Sequence, residues 1–270
     1  MEHASDNWAV AAVSILLSLI ILYAIIFAQR KGPPNIRRIA GLSEIDDAVG
    51  RATEMGRPVL MVPGIGGLDV ISLQALSLFG YIARSVARFG NKSIIPTIDP
   101  LLTAVAEETL RDSYTEAGRP ELFSSDDVRY LSQQQFAFAI GVSGILIREK
   151  VAASFLFGTF AAESLILAEI GNQVGAIQVA GTPSTTQVPF LIAACDYVII
   201  GEEYYAATAY VSKEPTLLGS LVGQDYCKLI LAAIAVVGCL LKTIEAAHRV
   251  PPPPTGFYHW VDVLLNLFRS

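Results

Sequence analysis

Histidine is nearly missing from this 270-residue chain, and charge is scarce. The three histidines are His3, His248 and His259. The whole central region has none, so it holds no Ser-His-Asp or Cys-His device, and no constellation of Lys, Asp or Glu takes its place. Charged residues make up 16% of the chain, against roughly 25% in an ordinary soluble domain. The three cysteines, Cys195, Cys227 and Cys239, lie far apart without metal-ligand spacing. Their odd number argues against a disulfide framework, and Cys227 and Cys239 sit in an apolar run where cysteine acts as a small hydrophobe. No Walker pattern and no internal repeat occurs. The net charge of −6 and a pI near 5.1 leave no basic domain, which argues against nucleic acid as a partner. Nothing in the sequence implies a cofactor or a metal.

What is abundant is apolar. Hydrophobic residues make up 53% of the chain, and mean hydropathy is +0.49. Trp8 to Ala28 is 21 residues without a charge, long enough to span roughly 30 Å of hydrocarbon. Aromatic residues stand near both ends, as Trp8 and as Tyr23 and Phe27. A cleaved signal peptide would carry its basic residues first. Here Glu2 and Asp6 precede the run and Arg30, Lys31, Arg37 and Arg38 follow it. The positive-inside rule then expects a cell-membrane protein with its N-terminus outside and the following chain cytoplasmic. Leu229 to Leu241, bracketed by Lys228 and Lys242, is a second apolar run of 13 residues. It reads as a second span if extended back to Leu217, or otherwise as a buried or interfacial helix.

The expected organisation is a tail and membrane helix over 1–29, a basic linker over 30–40, and a cytoplasmic domain over 41–215. An apolar helix over 216–247 follows, then a proline spacer and aromatic amphipathic helix over 248–270. Within the domain, short apolar runs alternate with helical lengths. Five strands are expected: Pro58–Gly64, Ser93–Asp99, Val151–Gly158, Ala176–Gly181 and Asp196–Gly201. Pro96 weakens the second or places it at an edge. Ser43 with Asp46 resembles a capping box opening a helix. Ser124–Lys150 starts with capping residues and turns apolar after Gln135, and Phe136–Ile147 is apolar enough to approach the membrane. The class is α/β, with a parallel sheet of about five strands and helices on both faces, Rossmann-like but without a dinucleotide fingerprint.

In such a sheet, ligands bind outside the carboxyl ends of the strands. The residues expected there are Gly64, Gly66 and Gly67, Asp99, Gly158, Thr159 and Glu163, Gly181, Thr182, Ser184 and Thr185, and Glu202 and Glu203. In "PGIGGLD", Asp69 stands where a dinucleotide loop needs its third glycine, and a carboxylate there repels a pyrophosphate. In "VAGTPSTTQVPF" the hydroxyls suit helix capping better than anion binding, since no Lys or Arg joins them. Glu202 and Glu203 suit the start of a helix. Glu163 and Glu169 interrupt an apolar helix, and an ion pair to Arg148 or Lys150 is the expected resolution.

The run Arg148–Ser212, from "REKVAASFLFG" to "EEYYAATAYVS", resembles a family of uncharacterised prokaryotic membrane proteins known as a domain of unknown function. The resemblance extends back to about Gly64 and forward to Leu229. It implies membrane association and brings no activity and no site residues. Two function classes stay open. One is a scaffold subunit of a homo-oligomeric membrane assembly, with the lipid bilayer, further copies and other subunits as partners. The other is a tethered domain that binds or turns over a small anionic ligand. The low charge of Val128–Tyr210 favours an apolar face covered by a second copy or by the bilayer surface.

Overall fold

The computed structural model describes residues 8–31 and 40–249. The expected basic linker, proline spacer and aromatic tail lie outside the described residues, apart from a few at their edges. The chain divides into two compact units. One holds the N-terminal helix up to Phe27 and the last described helix from Gly219, and the other is Ala28–Leu218.

The larger unit is the expected α/β domain, with one more strand than the sequence suggested. Its strands are β1 Val59–Gly64, β2 Ser93–Thr97, β3 Val128–Tyr130, β4 Ala153–Thr159, β5 Ile177–Thr182 and β6 Tyr197–Ile200. All pair in parallel, in the order β3-β2-β1-β4-β5-β6. That is the doubly wound order of dinucleotide-binding folds, and it reverses direction between β1 and β4. The additional strand is β3, three residues at the sheet edge, immediately after the Ser124–Asp127 turn. Pro96 is expected to weaken β2 or place it at an edge; β2 lies between β3 and β1. Lys92 O accepts from Val59 N, and alternate residues of a strand face the same neighbour, so Pro96 faces β1. Its missing N–H falls beyond the last registered pair on that side, Leu60↔Ile94, and costs the ladder nothing there.

The helices are α1 Trp8–Lys31, α2 Ala40–Met55, α3 Val70–Arg88, α4 Pro100–Glu116, α5 Gln135–Glu149, α6 Glu163–Val174, α7 Val188–Ala194, α8 Glu202–Ser212 and α9 Pro215–Arg249. α2 begins three residues before Ser43, so Ser43 lies in its first turn rather than at a capping box. α2, α3, α4 and α8 cover one sheet face, against Val59, Met61, Phe155, Phe157, Val179 and Ile199. α5, α6 and α7 cover the other, against Leu60, Val62, Leu156 and Ala180. Successive β1 and β4 residues thus alternate between two cores, as the pleat demands. Phe138, Ala139, Val142, Ile145 and Leu146 of α5 are buried in the second core, which explains that helix's apolar character without a membrane.

Three helices are long and apolar enough to cross a membrane: α1 over Val13–Arg30, α3, and α9 over Pro215–Leu240. They differ in burial. More than half of α3 is buried, with Phe79, Ile82 and Val86 wholly inside the first core. α1 and α9 instead expose Ile15, Leu16, Leu19, Leu22, Leu229 and Leu240, among others.

Candidate functional site

The carboxyl ends of β1, β2, β4 and β5 bring Gly64, Asp99, Thr159 and Thr182 to one edge of the sheet. At this edge, where the strand order reverses, a dinucleotide-binding fold holds its ligand. Here that crevice is bridged. Past a register shift after Val62, β1 and β4 continue together to Gly64↔Thr159, and Ile65 N donates to Thr159 O at 2.8 Å. Two glycines make the approach feasible. A Cβ on Gly64 (φ +80°) would lie 2.0 Å from Thr159 O, and one on Gly158 (φ +145°) would lie 2.0 Å from Pro63 O.

The loop after β1 is filled by the protein's own side chains. Asp69 caps α3, its Oδ1 accepting from Ser72 N at 2.7 Å. Asp99 reaches across from the end of β2 to accept from Leu68 N at 3.3 Å and caps α4 by accepting from Leu101 N at 3.0 Å. Asp69 N donates to Gly67 O. A Cβ on Gly66 would stand 2.6 Å from Ser72 Oγ, and one on Gly67 would stand 3.0 Å from Asp99 Oδ2. These glycines admit a serine and an aspartate of the same chain, at the turn where a nucleotide loop would admit a pyrophosphate.

Further along the edge, Glu163 opens α6 fully buried. Its Oε1 accepts from Ala161 N at 2.8 Å and its Oε2 from Gln135 Nε2 of α5. A glutamine and a backbone amide therefore hold it, in place of the expected Arg148 or Lys150. Glu169 is exposed on α6 and accepts from Gln173, one turn on. Thr182 is buried and its Oγ1 accepts from Ser184 N at 3.3 Å, while Ser184 and Thr186 share a hydroxyl hydrogen bond of 2.9 Å. Thr185 is exposed. α7 starts only at Val188, after Gln187, with no side-chain cap. The hydroxyl cluster therefore organises its own turn instead of capping the helix. Gly181 lies within β5, packed against Phe157. Glu202 and Glu203 form the exposed first turn of α8 behind Gly201, where acidic residues suit the helix dipole.

No cluster of three or more metal-ligating side chains exists among the described residues. Burial pushes the Cys195 thiol up to about 12, with Asp196 adding to the effect, so it stays protonated and is a poor nucleophile. Burial likewise raises the Tyr204 and Tyr114 hydroxyls. Tyr204 donates to Ile71 O at 2.8 Å and Tyr114 accepts from Ser93 N at 3.0 Å, both holding helices to the fold. An apolar groove of about 550 Å³ between α6 and α7, lined by Leu165, Ile166 and Ile170, lies away from the strand-end residues. So does a polar one of about 280 Å³ beside Arg84 and Glu116.

A family model described as a domain of unknown function (DUF6754) matches residues 3–251. The chain belongs to this family. The match runs through α1 and α9 as well as the α/β domain, so the family unit includes both exposed apolar helices. The family carries no assigned activity. No curated protein and no solved structure matches the chain.

Gly64, Asp99, Thr159 and Thr182 lie at or just after the carboxyl ends of their strands, as the sequence pattern implied, whereas Gly158 and Gly181 lie within β4 and β5. Sequence reasoning missed Gln135 as the partner of Glu163, and it missed Asp99 as the group that closes the β1 loop. The Asp-Pro pair at 99–100 was the available signal for the second, because it marks a capped helix start.

Proposed function

We propose that this protein is a membrane-anchored structural subunit of a homo-oligomeric assembly, with its α/β domain in the cytoplasm. The observation that carries the reading is the self-filled β1 loop. The amides of Ile65, Leu68 and Asp69 already donate within the chain, and two carboxylates occupy the place of an anion. A pyrophosphate there would meet like charge, and the loop Gly64–Asp69 contains no Lys or Arg to offset it, the opposite of what a helix N-terminus normally offers it. The exposed apolar lengths of α1 and α9 support the anchoring, with lipid as their natural cover. The basic residues after α1 support a cytoplasmic domain.

The test is made on the full chain in native membranes and in mild detergent. It should stay with the membrane through an alkaline carbonate wash and purify as a homomultimer by mass. Its melting temperature should not move with nucleotides or phosphate compounds. A ligand-dependent rise in melting temperature that is lost in Thr182→Ala/Thr185→Ala would overturn the scaffold reading in favour of ligand binding.

A further inference from the structure

The two layers of helices that enclose the sheet differ in their outer surfaces. α4 alone carries Glu107, Glu108, Arg111, Asp112 and Glu116. α5, α6 and α7 together carry only Arg148, Glu149, Glu163 and Glu169. Of these, Glu163 is buried and Glu149 is taken up by Arg129 at 3.1 Å. This layer is apolar toward the core and apolar toward water as well. Phe136 and Ile140 of α5, Leu165 and Ile166 of α6, and Phe190 and Ile192 of α7 are between 38% and 70% exposed. α5 packs on α6, and α6 on α7. Each follows the carboxyl end of a strand and runs back toward the start of the next, so the three helices begin at the same edge and these side chains share one outer face.

The size of that face is informative. Half-exposed side chains of this bulk leave about 100 Å² each in water. With Ile147 and the exposed Ala137, Ala162 and Ala193, the face presents on the order of 800 Å² of apolar surface. The largest apolar patch of a monomer is about 300–600 Å², whereas one side of a stable protein interface is about 800 Å². The relief is paired too. The groove of about 550 Å³ lined by Leu165, Ile166 and Ile170 lies directly beside α7, whose Phe190 and Ile192 stand exposed.

We propose that the outer face of α5, α6 and α7 is where two copies of this chain join, with the exposed side chains of α7 in one copy seated in the α6–α7 groove of the other. The inference rests on the homo-oligomeric reading above and adds the surface that carries it. A ridge beside a hollow complements itself about a two-fold axis, and a flat bilayer surface makes no use of it. Charge points the same way. Surfaces that lie on anionic lipid are rich in Lys and Arg around their apolar side. Here the exposed Arg148 and Lys150 are offset by the exposed Glu169 and Asp196, so the rim has no basic excess and offers both signs to a second copy.

The experiment measures the mass of the full chain in mild detergent across a dilution series. It compares wild type with Ile140→Glu/Ile192→Glu and with Phe89→Glu, which alters a comparably exposed apolar residue at the end of α3 in the other layer. Wild type should self-associate, the double variant should do so about a hundredfold more weakly, and Phe89→Glu should match wild type. A monomeric wild type removes the homo-oligomeric reading together with this one, and a wild type found only with a different protein counts as monomeric. Self-association that the double variant retains, or that Phe89→Glu weakens as much, removes this inference alone. Should the double variant fail to fold, photocrosslinking replaces it, with benzoylphenylalanine in place of Ile166 in an otherwise wild-type chain. Adducts of twice the chain mass that map to α5, α6 or α7 of the second copy are expected. Adducts only to lipid, to another protein, within one chain or to other elements of a second copy would overturn the assignment.

Discussion

Gly158 holds a position that no other residue can fill without cost. Its φ of +145° disfavours any side chain, and a Cβ would collide with Pro63 O. Strain at such a backbone position and a clash with a neighbouring strand both act on the folded state alone. Gly158→Ala should therefore destabilise the domain by about 3 kcal/mol, read as a fall in melting temperature on the order of 10 °C for a domain of this size. An alanine variant that melts with wild type would mean that β1 and β4 do not meet as described. Asp127 supplies a second test. It is 4% exposed and burial raises its pKa above the ordinary 3.8, although Lys92, the Ser124 amide and Arg129 oppose the shift. With the folded pKa above the unfolded one, the stability this group contributes is full below the unfolded pKa. It is lost as pH rises through the folded value. Asp127→Asn keeps the shape without the charge. Its melting temperature relative to wild type should climb as pH is raised from below 4 toward neutrality, then level off; a constant difference across that range would contradict the shift.

At the scale of elements, the βα turns decide what the edge of the sheet can do. α3 and α4 begin on aspartates that cap their own helices, and Asp99 serves both turns. Asp69→Ala should cost about 1 kcal/mol, the usual worth of a side-chain cap. In Asp69→Ala/Asp99→Ala the loop amides lose their carboxylates, and a phosphate-dependent rise in melting temperature that wild type lacks is the expected gain. If the double variant gains none, the carboxylates are not what excludes the anion. Much of this was legible beforehand. The apolar runs that became β1, β2, β4, β5 and β6 are each closed by glycine, aspartate or a hydroxyl residue, a pattern carried by neighbouring residues. β3 escaped notice because three residues at an edge leave no periodicity, and its start is masked by the capping residues before it. The interior position of β2 escaped because it depends on which neighbour Pro96 faces, a property of pairing. Gln135 meets Glu163 across 28 residues, from a helix whose sequence gives no sign of that partner. Long-range satisfaction of a buried polar group is not written in local pattern.

At the scale of the whole molecule, the proposed arrangement fixes sides. If α1 spans the membrane as proposed, Ser5 before it and Ser124 after it belong on opposite sides. In a chain whose native cysteines are replaced by serine, Ser5→Cys should react with an impermeant maleimide added to intact cells. Ser124→Cys should react only after lysis. The opposite pattern would invert the topology. Equal labelling of both before lysis would mean that the chain does not divide across a membrane.

The seating of β1 between β2 and β4 also has a consequence during synthesis. β2 leaves the ribosome soon after β1, but β4 follows the end of β1 by about 90 residues. At roughly 5–20 residues per second, β1 presents an open, wholly apolar edge for about 5–20 s before its second neighbour exists. Throughout that interval Val59–Val62 is available to any extended chain nearby. If α1 is by then held in the bilayer, nascent copies on one polysome would keep their open β1 edges close together. The exposure ends when Ala153–Thr159 arrives and Gly158 closes against Pro63.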